Sequence, residues 1–140
     1  MQIIASLAKV VEKKDLADIR HFVEATGNQL GLETSVIVAL RQAVDEAVSN
    51  ILMHGYQGQA GPLRLDIGQK GADLWVRLRD EAPSFDPTQV PPPDLTIPLF
   101  LRPPGGLGLP LIRQAMDELC YHPLPEGGNE FILVKREAMG

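Results

Sequence analysis

Nine of the twelve prolines in this 140-residue chain lie between Pro83 and Pro110, among them the runs Pro91-Pro92-Pro93 and Pro103-Pro104. Proline fixes φ and has no N–H, so neither a helix nor a central strand can pass through that stretch. The interruption, from Pro83 to Pro104, is longer than the roughly 12–15 residues that plain connections in compact domains tolerate, and this points to a lid, a binding loop or a linker. A linker needs a folded unit on each side. Only about 36 residues follow, too few for an independent domain. The interruption therefore reads as a lid, at residues 86–105, inside one domain spanning residues 1–140. With 44% hydrophobic and 22% charged residues, the chain has ordinary globular usage and enough apolar material for a core.

The elements on either side are legible from periodicity. Leu16, Ile19, Phe22, Val23, Thr26 and Leu30 recur at helical spacing, which predicts an amphipathic helix over residues 15–30 closed by Gly31. A longer helix is predicted over residues 34–54, with Ile37, Leu40, Val44, Ala47, Val48 and Ile51 on one stripe and Gly55 as its stop. Leu63, Leu65 and Ile67, then Leu74, Val76 and Leu78, alternate with polar or bulky residues. Residues 62–80 thus read as a β-hairpin with residues 68–71 between its strands. Leu111, Ile112, Ala115, Met116 and Leu119 predict a third helix, with Pro110 tolerated in its first turn. Gly127-Gly128-Asn129 reads as a turn, residues 131–135 as a last strand, and residues 2–11 as an edge strand. The order β-α-α-β-β-lid-α-β implies an α+β domain: a two-layer sandwich in which a mostly antiparallel, mixed sheet carries its helices on one face.

Charge and cysteine usage remove several functions. Thirteen Lys and Arg against eighteen Asp and Glu give a net charge of −5, the wrong sign for a protein that grips nucleic acid by its phosphates. The lone Cys120 excludes an intrachain disulfide and a metal site built from several cysteines. The apolar stretch over residues 3–11 is too short to span a bilayer and lacks the order of a signal peptide, which leaves the cytoplasm as the expected address and no membrane partner.

Three segments carry chemistry. On the second helix, Glu46 and Asn50 lie at i,i+4, on the side away from the apolar stripe. They form the carboxylate and carboxamide pair that a hard Mg²⁺ ion or an attacking hydroxyl would use, although Gln42, Asp45 and Ser49 share that face and a polar helix face is commonly just solvated. Asp80 ends an alternating strand, where an acid can accept hydrogen bonds from a ligand or simply form a turn. Gly105-Gly106-Leu107-Gly108-Leu109 opens the third helix, where close-packed backbone N–H groups and the helix dipole favour an anion. No Gly-Lys-Ser/Thr follows and no strand feeds the segment, so it is neither a Walker A loop nor a dinucleotide fingerprint.

Taken in order, these segments resemble a known family. Glu46-Ala47-Val48-Ser49-Asn50 with His54-Gly55-Tyr56 looks like the N box of the gyrase, histidine-kinase and mismatch-repair ATPase superfamily. Asp80-Glu81-Ala82-Pro83-Ser84-Phe85-Asp86-Pro87 resembles its adenine-contacting box, and Gly105 to Leu109 its phosphate-lid box. Asp45-Glu46-Ala47, the short hairpin, Phe85-Asp86-Pro87 and the run from Gly106 to Ile112 are most similar to bacterial anti-sigma-factor serine/threonine kinases. The resemblance implies a Bergerat-type, histidine kinase-like ATPase fold that binds ATP and Mg²⁺. It makes Glu46 the general base and Asn50 the Mg²⁺ ligand. Asp80 becomes the acceptor for the adenine amino group, with Ala82 beside the nucleotide where the superfamily often has glycine. Gly105, Gly106, Leu107, Gly108 and Leu109 become the wrap around the phosphates. It further implies a homodimer and transfer of the γ-phosphoryl group to a small anti-sigma-factor-antagonist-like protein, with a sigma factor as second partner. The alternative is a non-catalytic module that ATP gates for protein binding. A histidine kinase is set aside because no dimerising helix with a phospho-acceptor histidine is legible.

Overall fold

The computed structural model describes residues 2–84, 86, 96 and 108–139. A five-stranded sheet runs in the order β1-β2-β3-β5-β4, formed by β1 (Gln2–Val11), β2 (Gly61–Lys70), β3 (Asp73–Asp80), β4 (Glu118–Pro123) and β5 (Asn129–Lys135). Every pairing between them is antiparallel, so the mixed character expected of the sheet finds no parallel pair among the described residues. Helices α1 (Leu16–Gln29), α2 (Thr34–Asn50) and α3 (Gly108–Ala115) cover one face, giving the expected α+β sandwich.

The core follows from the two periodicities. Leu65 faces Leu78 and Ile67 faces Val76 across β2 and β3, and all four meet Ile19, Leu40, Val44 and Val48 of the helices. Alternate residues form the other face of the sheet, where Arg77 and Arg64 close on the fully buried Asp66 at 2.9 and 3.2 Å and Ser6 donates to it at 2.6 Å. Burial pushes the Asp66 carboxyl up, but the Ser6 hydroxyl and the two guanidinium groups outweigh it and hold the group below the usual carboxylate range.

The first helix ends as expected. Gly31 adopts φ +70, which lets the N–H of Leu32 reach back to the Gly27 carbonyl at 3.0 Å. The second differs at its end: after Asn50 the chain widens into one turn, Ile51–Gly55, in which the Tyr56 N–H bonds to the Ile51 carbonyl five residues back.

Two boundaries are corrected. The hairpin turn is Gly71-Ala72 alone, not residues 68–71, since Lys70 already pairs with Asp73. Gly68 is a strand residue whose missing side chain makes room for the Trp75 ring, and a methyl group there would overlap the indole. The third helix stops at Ala115 instead of continuing through Leu119, and Leu119 and Tyr121 instead alternate on β4, a strand absent from the expected order. Leu119 satisfies both periods, three or four residues after Ala115 and Met116 and two before Tyr121, so spacing alone misassigned it.

Candidate functional site

The end of α2 and the end of β3 are drawn together by Tyr56. Its hydroxyl donates to the Pro62 carbonyl at 2.6 Å and accepts from the Glu81 N–H at 2.8 Å, while its ring fills the space that a side chain at Gly61 would need. The loop leaving the second helix is thereby stitched to both the first residues of β2 and the residue that follows Asp80.

Each of the two elements carries a buried polar group with an open valence. Asn50 is 3% exposed, enclosed by Ala47, Ile112, Leu119 and Phe131, and its Nδ2 has no hydrogen-bond partner among the described residues. This corrects the expectation that Asn50 points away from packed structure: Ile112 of α3, Leu119 of β4 and Phe131 of β5 cover it, while Glu46, one turn earlier, is half-buried. Asp80 is 2% exposed. Its Oδ1 accepts from the Ala82 N–H at 2.9 Å and from Asn129 Nδ2 at 2.8 Å, while its Oδ2 is buried with no partner among the described residues. A buried polar atom left unpaired costs about 1–3 kcal/mol, so two of them on adjoining elements call for a ligand.

The electrostatics separate the carboxylates. Burial pushes the Glu46 carboxyl up, and the neighbouring Asp45 charge adds to the shift. Asp45 itself is gripped by Arg20 of α1 through a fork of 2.9 and 3.1 Å. Burial also pushes Asp80 up, against the pull of its Asn129 and Ala82 donors. A base wants raised affinity for a proton, and an acceptor wants an unshared lone pair; Glu46 has the first and Asp80 Oδ2 the second.

The donors present fit Mg²⁺ bound together with phosphates. Among the described residues no group of three or more His, Cys, Asp or Glu could hold a metal ion by itself. Mg²⁺ commonly takes one or two protein oxygens and completes its shell with water and substrate phosphates, which the Asn50 carboxamide on its own suits. The space left between Asn50, Ile112, Leu119 and Phe131 is about 10 Å³, at the lower limit for a single water. A wider groove of about 740 Å³ opens between Val10, Pro62, Arg64, Arg79 and Leu124. Its cations are already neutralised: Arg64 by Asp66, Arg79 by Glu130 and Lys9 by Asp15. That groove offers no spare positive charge from these residues for a triphosphate.

Of the residues singled out from the sequence, Glu46 and Asn50 lie one turn apart on α2, and Asp80 and Ala82 lie at the end of β3 and just beyond it. Gly105, Gly106 and Leu107 lie outside the described residues, as does the lid over residues 86–105 apart from Asp86 and Thr96. For Gly108 and Leu109 the backbone opens α3. The helix-entry reading of that segment is thus met at its last two residues.

The model of the histidine kinase-like ATPase domain matches residues 10–135. The chain belongs to this family. Serine-protein kinase RsbW of Bacillus cereus strain AH820 and that of Bacillus anthracis are each 31% identical over 108 residues, covering 74% of this chain and 68% of theirs. A crystal structure of the RsbU and RsbW domains of a Mycobacterium tuberculosis protein superposes with a TM-score of 0.64 at 17% identity. That likeness, over 95% of this chain and 32% of the other, concerns the fold; this chain spans about a third of that one. Among the described residues, no helix is long and apolar enough to cross a membrane.

Two side chains in this family member had no functional signal in the sequence: Asn129 reads there as part of a turn, and Tyr121 falls in no predicted element. Asn129 meets Asp80 because β5 pairs with β3 in the register that sets the two opposite each other, and Tyr121 reaches Asn129 from β4, the strand on the other side of β5.

Proposed function

We propose that this domain binds Mg-ATP between α2, the end of β3 and the start of α3. We propose further that it phosphorylates a serine or threonine of a small antagonist protein in a partner-switching system. The observation that carries this reading is Asp80: one oxygen saturated from within, the other buried, unpaired and available to an amino group. The name of its relatives, serine-protein kinase, supports the reaction class.

In this reading Asp80 Oδ2 accepts from the adenine amino group, Ala82 packs beside the base, and Gly105, Gly106, Leu107, Gly108 and Leu109 supply backbone donors to the phosphates. Asn50 holds Mg²⁺ through its carboxamide oxygen. When bound, Mg-ATP supplies the γ-phosphoryl group and the cation that neutralises charge as it is transferred. Glu46 takes the proton from the attacking hydroxyl as the new P–O bond forms and ADP leaves, a task its burial and the Asp45 charge favour. The partners are a small anti-sigma-factor-antagonist-like protein and a sigma factor, which would sense the ATP and ADP states differently. A homodimer acting in the cytoplasm completes the proposal.

The test is incubation with γ-labelled ATP, Mg²⁺ and an extract of the source cells. The expected result is label on a serine or threonine of one small protein. Association with a partner that depends on Mg-ATP but never leads to labelling would replace the kinase by an ATP-gated binding module.

A further inference from the structure

A directed chain of hydrogen bonds ends on the oxygen of Asp80 that faces inward. The Tyr121 hydroxyl donates to Asn129 Oδ1 at 2.7 Å, and Asn129 Nδ2 donates to Asp80 Oδ1 at 2.8 Å. Asn129 is fully buried and paired in register with Asp80, and its amide also reaches the carbonyls of Ala82 and Pro83 at 3.4 and 3.3 Å. The turn before it comes in so close that a side chain at Gly128, held at φ +94, would overlap the Asp80 carbonyl. Tyr121 is kept in place by the Phe131 ring, 5.3 Å between centroids.

We propose that Asn129 and Tyr121 are positioning residues that set the nucleobase preference of the site. Because Tyr121 occupies the amide oxygen, the Asn129 nitrogen is the end turned to Asp80, and the carboxyl is kept as an acceptor on both oxygens. Without that donor only the Ala82 N–H still holds Oδ1, so Asp80 is less firmly fixed and more readily carries a proton on Oδ2, and a protonated carboxyl donates where it should accept. Among the described residues, Tyr56 and Asp86 are the other titratable groups that act on the Asp80–Tyr121 pair, and neither is a cation that would replace the lost donor. The relay therefore matters only to a ligand that presents an amino group at this point. The same amide ties Asp80 to the Ala82–Pro83 backbone, so base recognition and the root of the proline-rich segment share one anchor.

This inference rests on the proposed adenine contact, and the experiment separates the two. Affinities of the purified chain are measured for Mg-ATP and for the Mg complex of purine riboside triphosphate, which lacks the 6-amino group. Wild type should prefer ATP. Asn129→Ala should lose about tenfold for ATP, as expected for a hydrogen bond to a charged group, and keep its affinity for the analogue. Tyr121→Phe, which retains the ring against Phe131, should move the same way by a smaller factor, and it decides the matter if Asn129→Ala shows no cooperative melting. Equal losses for both nucleotides, or no loss for either, would overturn the relay while leaving the adenine contact standing. A wild type that does not distinguish the two nucleotides would overturn the adenine contact itself, and the relay with it.

Discussion

At the scale of the residue, two acids in one site are asked for opposite things. Asp80 is to stay an acceptor although it is buried; Glu46 is to take up a proton. Asp80→Asn removes a charged acceptor from Oδ2 and should weaken Mg-ATP binding by about 1.5–3 kcal/mol, ten- to a hundred-fold, measured by calorimetry. GTP, with a carbonyl at that position, should bind wild type more weakly than ATP. Because burial raises the Asp80 pKa in the folded chain, this carboxyl contributes stability in its neutral form at low pH, and that contribution is lost as pH rises through the raised value. The nucleotide-free Asp80→Asn protein should accordingly melt no lower than wild type at neutral pH. A drop in both melting temperature and affinity would assign Asp80 to structure instead.

Glu46 gives a pH prediction of defined sign. A general base works ionised, so transfer should fail on the acid side, beginning above the usual carboxylate range because burial and Asp45 raise the Glu46 pKa. Asp45→Asn removes the second cause, and the acid limb of the rate profile should move to lower pH. An unmoved limb would show that another group controls it.

Elements carry the next level of the account. Gly68 lies under Trp75, a ring that is 3% exposed on the sheet face away from the helices, with the Arg77 guanidinium 5.5 Å from its centroid. Gly68→Ala should displace the ring, shift the fluorescence of this single tryptophan and cost about 1–3 kcal/mol in urea unfolding, the usual range for overpacking. Helix α3 packs over Asn50 and leaves about 10 Å³ there. Residues 86–105 should be cut by protease without nucleotide and protected by saturating Mg-ATP. Identical cleavage with and without it would remove the lid.

The same elements mark what could be read from the sequence. Periodicity located α1, α2, β2, β3 and β5, because each buries one face and its apolar residues repeat at the matching spacing, whereas β1, expected as an edge strand, buries only Val11. It missed β4, a strand of six residues whose alternation rests on Leu119 and Tyr121, the former also continuing the helical stripe from Ile112. It placed Gly68 in a turn because the reason for that glycine, the Trp75 ring, lies across the hairpin.

On the scale of the whole molecule, the candidate site is a product of register. Glu46 and Asn50 were legible because one helix turn separates them. Asp80 was legible because an acid ending an alternating strand is conspicuous. Asn129 was not, since it meets Asp80 across 49 positions of sequence through a β3–β5 pairing that no local pattern announces. Membership of the histidine kinase-like ATPase family supplies the frame in which these residues acquire a common purpose.

The central claim is that the half-buried Glu46, one helical turn before Asn50, acts on the nucleophile's proton in phosphoryl transfer. It is tested most directly by comparing Mg-ATP affinity and phosphotransfer in wild type and Glu46→Gln, with the labelled partner as acceptor. Glutamine keeps the size of the side chain but takes up no proton at neutral pH. Affinity should be nearly unchanged while the transfer rate falls by about 10²–10⁴, the usual contribution of a general base. Transfer by Glu46→Gln at the wild-type rate would contradict the account.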